Sequence, residues 1–204
     1  SNVFHPIIYN VKVVKCINQL ANKNFAKIAS KQENKDLTKV KSIYSKRNNR
    51  IDYLFHKITS HLVNHLVSNN VSLLIFGHNK GQKQDVNLGK KTNQNFVSIP
   101  FYKLISMLKY KCELNGIEFL ENEESYTSKT SFLDLEPIQK LDNYVGKRVK
   151  RGLFKTKDGK LINADVNGSL NIGRKVLSKL NLYNDNVHQQ LVDFMVNPKK
   201  ITIK

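Results

Sequence analysis

The chain has 204 residues, with 34 Lys+Arg against 16 Asp+Glu, a formal net charge of +18 and a pI near 9.8. Its length fits one large or two small domains, and 40% hydrophobic residues with 10 Phe and 8 Tyr can build a sizeable core, which excludes a disordered basic tail. No apolar run approaches the ~18 residues of a membrane span, and the opening SNVFHPII lacks the charged-then-apolar order of a signal peptide. No membrane role and a cytoplasmic setting are expected.

The charge is uneven. Residues 1–112 carry a net +15, residues 113–142 a net −6 and residues 143–204 a net +9. A basic surface attracts polyanions by counterion release, and no stretch combines a basic face with the clean aromatic-rich apolar face of an interfacial membrane helix. Nucleic acid is therefore the expected partner. Of the 34 cations 29 are Lys and only 5 Arg, so part of the excess also fits a surface that is merely soluble.

In chain order, residues 6–14 (PIIYNVKVV) read as two short extended runs broken at Asn10, a hairpin at a sheet edge. Residues 15–32 are weakly helical. Residues 36–69 make the strongest helix: Leu37, Val40, Ile43, Ile51, Leu54, Phe55, Ile58 and Leu62 recur at spacings of three, four and seven, either unbroken or divided near Asn48 and Asn49. Residues 71–76 (VSLLIF) have the composition of a buried strand, and a polar, glycine-containing loop follows.

Pro100 opens a helix through Leu104, Ile105, Leu108 and Cys112 that ends at Asn115 and Gly116, and residues 117–120 form a second strand. Strand, helix and strand at this spacing predict a βαβ unit with parallel strands. Residues 125–160 show no periodicity but contain the basic run GKRVKRGLFK and a turn at Asp158-Gly159. An amphipathic helix follows Asp165, and a short helix over 187–196 is possible in the trailing segment 183–204. The fold class is α/β with a mixed sheet.

Four ordered stretches, NKGQKQDVNLGKKTNQNFVSIPFYKLISMLKYKCELNGI (79–117), ESYTSK (124–129), GKRVKRGLF (146–154) and INADVNGSLNIGRK (162–175), resemble the OrfB, or TnpB, accessory transposase family of bacterial insertion sequences. The resemblance implies an RNase H-like fold of the RuvC type and an RNA-guided DNA endonuclease. It implies DNA and a mobile-element guide RNA as partners, magnesium or manganese as cofactor, no small-molecule substrate, and a bacterial cytoplasmic location, nucleoid-associated when bound. On this basis residues 1–124 are the first part of a RuvC-like core lacking its first strand. Residues 125–160 are an irregular basic insertion in place of a zinc ribbon, 161–182 the final core helix, and 183–204 a tail.

Two-metal phosphodiester hydrolysis needs hard carboxylate oxygens converging on two ions ~3.5–4 Å apart. The family supplies an Asp on its first strand, a Glu after a central strand and an Asp at the last helix. Asp165 matches the third, although an Asp at a helix start is ordinarily an N-cap. After VSLLIF this chain reads Gly77-His78-Asn79 where the family has Glu, and Glu124 is either a relocated second carboxylate or part of a solvated acidic loop. The stretch resembling the start of the family pattern lies downstream of its first strand, so the first Asp is expected before Ser1.

Cys16 and Cys112 are far apart and no CxxC occurs, so no zinc is expected; Phe132, Leu133, Leu153 and Phe154 are candidates for a small metal-free core. His61 and His65 have the i, i+4 spacing of a zinc pair but no intervening Glu, and read as two polar positions beside the apolar stripe. The nucleic-acid candidates are Lys80, Lys83, Lys90, Lys91, Lys129, Lys147, Arg148, Lys150 and Arg151, with Phe154 as a stacking aromatic. Tyr126, Thr127 and Ser128 could bond a phosphate backbone. Two functional readings stay open: a metal-dependent DNA endonuclease, and a nuclease-dead remnant or regulator that binds nucleic acid.

Overall fold

The apolar stripe of the long helix organises the first half of the chain. In the computed structural model, which describes residues 6–30, 37–79, 99–193, 195 and 198–203, strand β1 (Ile7–Tyr9) leads into α1 (Lys12–Ala29) and then α2 (Leu37–Ser68). The hairpin expected over 6–14 is thus a strand followed by a helix start. The Lys12 N–H donates to Asn10 Oδ1 at 3.1 Å, which satisfies an amide that a helix start leaves open and turns the chain.

α2 runs unbroken for 32 residues, ~48 Å at ~1.5 Å per residue. The stripe is interrupted between Ile43 and Ile51 by Arg47, whose Nε donates to the buried Asn18 Oδ1 at 2.8 Å. A bonded cation therefore holds α1 against α2 where an apolar side chain is missing, and Asn48 and Asn49 stay exposed without ending the helix.

The described residues fall into two compact units, one within residues 1–8, 72–81 and 118–200, the other within 9–71, 82–117 and 201–204. The second is helical. Its core gathers Val14, Ile51, Leu54, Phe55, Ile58, Ile99 and Met107, each large side chain worth about 1.5–3 kcal/mol on burial. Helix α3 (Phe101–Leu114) docks on α2 through the Lys103–Asp52 ion pair and through Lys111, whose Nζ donates to Thr59 Oγ1 at 2.7 Å and Ser60 Oγ at 2.8 Å. Burial in that seam lowers the Lys111 ammonium pKa.

In the other unit, β2 (Leu73–Gly77) and β3 (Glu118–Asn122) pair in parallel, Leu73 opposite Glu118 and Gly77 opposite Asn122, as a βαβ connection requires. Every residue of β2 is half-buried rather than buried, because β2 has a partner on one side only among the described residues. Strands β4 (Lys147–Lys150), β5 (Leu153–Lys155) and β6 (Leu161–Asn163) form an antiparallel meander, with Gly152 at φ +76° and Gly159 at φ +83° in its two tight turns. Helices α4 (Ala164–Lys179) and α5 (Asp185–Asp193) follow, and β7 (Lys199–Ile201) pairs with β1.

The fold is α/β with both parallel and antiparallel pairing. Instead of one mixed sheet, the described strands form three small ones, since the meander closes on itself through short turns while β2 and β3 pair across a crossover. No helix among the described residues is long and apolar enough to cross a membrane.

Candidate active edge and basic hairpin

Parallel strands present their carboxyl ends as an open crevice, the usual place for a ligand in an open α/β sheet. Here β2 and β3 end together, and His78, Glu121, Asn122 and Glu123 line a cavity of about 570 Å³ at that end. The chain leaves β3 and returns along α4, where the Lys175 Nζ donates to Glu123 O at 3.0 Å and the Lys179 Nζ to Asn122 Oδ1 at 3.3 Å. Farther back, Asn171 Nδ2 donates to Thr127 O and Thr130 O, and Asn167 bonds Thr130 O and the Phe132 N–H.

Asn163, Asn167 and Asn171 thus use the i, i+4, i+8 spacing of one helical face: Asn163 caps α4 and the other two hold the turns that follow β3. That spacing is visible in the sequence NADVNGSLN.

Glu124 sits on this returning segment. Its N–H donates to Asn79 Oδ1 at 3.2 Å, and its carbonyl accepts the Thr127 Oγ1–H at 2.8 Å, so Thr127 is buried and bonded inward rather than turned to a backbone phosphate. A Cβ placed on Gly77 would lie 3.2 Å from Glu124 Oε2 and would collide with Ile172 Cδ1. The glycine that ends β2 therefore leaves room for a carboxylate that arrives from beyond the end of β3. Gly77→Ala is expected to destabilise the protein by about 1–3 kcal/mol in urea unfolding, and Ile172→Ala added to it to restore part of the loss.

Asp165 is the second residue of α4. The N-cap is Asn163, whose Oδ1 accepts the N–H groups of Asp165 at 2.9 Å and Val166 at 3.1 Å, so the ordinary capping role belongs to Asn163 and the Asp165 carboxylate is left for other work. It is exposed, and Arg148 Nη2 stands 3.5 Å from Oδ1 in a surface pair worth at most ~1 kcal/mol.

Ile172, beside Glu124, is seven residues beyond Asp165, so the two share a face of α4 about 10 Å apart along its axis. Among the described residues no three His, Cys, Asp or Glu gather closely enough to hold a metal.

Four of the five cations of the basic run are exposed on β4 and the turn after it, Lys147, Arg148, Lys150 and Arg151, and the fifth, Lys155, is exposed on β5. The pairing shifts between Arg148 and Lys150, a bulge at Val149 that disturbs strict alternation. Phe154 is fully buried, and Gly146 packs so close that a Cβ there would stand 2.5 Å from the ring. It is core, opposite Arg148 in the ladder, and not a surface on which a base could stack; Phe132 is likewise fully buried, and Leu133 and Leu153 are half-buried.

Lys129 is exposed with its Nζ 6.0 Å from the Tyr144 ring centroid, and Tyr126 is exposed at φ +67°. Lys80, Lys83, Lys90, Lys91 and Asp85 lie outside the described residues. His61 bonds the Tyr9 hydroxyl through Nδ1 at 2.7 Å and His65 Nδ1 is 3.4 Å from Asn69 Nδ2, contacts of ordinary polar positions.

Two side chains that the sequence did not single out tie the irregular segment together. Glu136 is buried and accepts the N–H groups of Ser131 and Val145, each at 2.7 Å; Asp134 accepts the Ser131 hydroxyl at 2.6 Å and the Lys157 N–H at 3.0 Å. Carboxylates thus cross-link residues 131, 145 and 157.

No curated protein matches the chain. Residues 101–172, about a third of its length, match the family described as Cas12f1-like, TNB domain, and this similarity points to the superfamily of TnpB, Cas12f and other RuvC-like nucleases.

Proposed function

We propose that this chain is the nuclease-domain portion of an OrfB/TnpB-type transposase, binding DNA together with a guide RNA derived from the mobile element. One observation carries the reading: Glu124, Lys129, Lys147, Arg148, Lys150, Arg151 and Asp165 all fall inside the segment that matches the Cas12f1-like family. The exposed cations of β4 supply phosphate contacts, which position a strand without reading its bases.

Replacing Lys147, Arg148, Lys150 and Arg151 together by alanine is expected to lower the slope of log affinity against log salt for duplex DNA by about 3.6, since each of four phosphate contacts contributes ~0.9. An unchanged slope in fluorescence anisotropy would remove the hairpin from the interface.

On this reading Asp165 and Glu124 are two of the family's carboxylates, Glu124 serving for the Glu absent after β2, and cleavage with magnesium or manganese requires a further carboxylate to join them. A second reading, binding without cutting, is favoured by Gly77 at the usual Glu position. A nicking assay with guide RNA and magnesium separates the two. Cleavage abolished by Asp165→Ala and by Glu124→Gln supports the nuclease, whereas no cleavage with salt-sensitive binding intact supports the second reading.

A further inference from the structure

Arg174 lies nine residues beyond Asp165 and so on the opposite face of α4. It is only 6% exposed, yet among the described residues it forms no salt bridge, and its one hydrogen bond runs from Nη2 to Glu136 O. The Glu136 carboxylate, whose charge acts on Arg174, is occupied by the Ser131 and Val145 N–H groups. A buried guanidinium without an ionic partner is costly, and burial lowers its pKa accordingly.

The Arg174 guanidinium carbon stands 5.8 Å from the Phe132 ring centroid, and the residue lines a cavity of about 430 Å³.

The lining mixes charge and apolar surface. Lys175 and Lys179 line it with Arg174, each lysine using one of three ammonium protons on the β3 end. Glu136 lines it too, its carboxylate engaged by the Ser131 and Val145 N–H groups. Leu135, Ile138 and Tyr183, whose hydroxyl lies 2.6 Å from His188 Nδ1, complete it. Leu135 is 49% exposed and held at φ +51°, a conformation that a bulky residue seldom adopts, so the backbone keeps an apolar side chain at the rim against both solvation and torsional preference.

We propose that this cavity binds one nucleotide, with Arg174, Lys175 and Lys179 on the phosphate and Leu135, Ile138 and Tyr183 against the base. A planar fork flanked by two point charges matches a phosphate, whose oxygens take paired N–H donors, better than the single charge of a carboxylate, and the volume lies in the range of small-ligand sites. The inference goes beyond the nuclease reading and does not depend on it, because neither Asp165 nor the β4 cations take part.

The test is equilibrium binding of the full chain to adenosine 5′-monophosphate, inorganic phosphate, N-acetyl-leucine and a short oligothymidylate. The variants are Arg174→Gln and Leu135→Gly, with the fold checked by circular dichroism. Adenosine 5′-monophosphate is expected to bind about tenfold more weakly to each variant. Leu135→Gly should leave inorganic phosphate binding unchanged and, by relieving the positive φ, remain folded, so it decides the matter if Arg174→Gln unfolds. An oligothymidylate that displaces the mononucleotide identifies a strand as the source of the nucleotide; one that binds without displacing it identifies a free nucleotide. Mononucleotide affinity equal in Leu135→Gly and the unaltered chain, absence of mononucleotide binding, or preferential binding of N-acetyl-leucine would each overturn the proposal.

Discussion

Glu136→Ala is expected to destabilise the protein by about 3–5 kcal/mol, read as a fall in the urea midpoint at unchanged slope. Each of the two N–H bonds to this side chain involves a group able to carry charge, and such bonds contribute about 1.5–3 kcal/mol apiece. Removing the acceptor strands the Ser131 and Val145 amides in a site where Glu136 itself is only 4% exposed. Glu136→Gln keeps one carbonyl acceptor and should lose about half as much. An effect below ~1 kcal/mol for the alanine variant would mean that water reaches both amides and that this carboxylate is not what ties residues 131 and 145 together.

Phe154→Ala should cost a further large amount, about 3–5 kcal/mol, because the ring is fully buried and Gly146 is shaped to it. The same variant distinguishes the two roles open to this residue. A base-stacking Phe154 would lose ~1–3 kcal/mol of single-strand binding with stability unchanged. A core Phe154 loses stability and, where the folded fraction is kept high by working well below the unfolding midpoint, keeps its nucleic-acid affinity. Burial predicts the second result.

How far these features could be read from residues alone depends on the range of the interaction behind each. The helix over 37–68 is legible because its apolar stripe repeats within single turns, and the strand after Val71 because residues 73–76 are four consecutive apolar side chains. The pairing of β1 with β7 joins three-residue strands from opposite ends of the chain, too short for any periodicity to register. The second run of the hairpin expected over 6–14 is valine-rich, yet Asn10 converts it into a helix start by bonding the Lys12 amide, a local event that β propensity outweighs on paper. GKRVKRGLFK shows its cations plainly, but whether its aromatic faces solvent or core follows from strand register, and the bulge at Val149 makes alternation a poor guide.

The candidate site divides the same way. Composition and charge suffice to raise the expectation of a polyanionic partner, since an excess of 18 positive charges acts at long range whatever the fold. Asp165 is recognisable from its motif. That its cap is Asn163, that Glu124 occupies space left by Gly77, and that Arg174 lies buried without an ion pair all depend on contacts between residues 2 to 47 positions apart, set by the packing of β2, β3 and α4. Local patterns specify elements and net charge because their causes are local or additive. Which carboxylate meets which backbone is a matter of ångströms, and only the packed chain sets those.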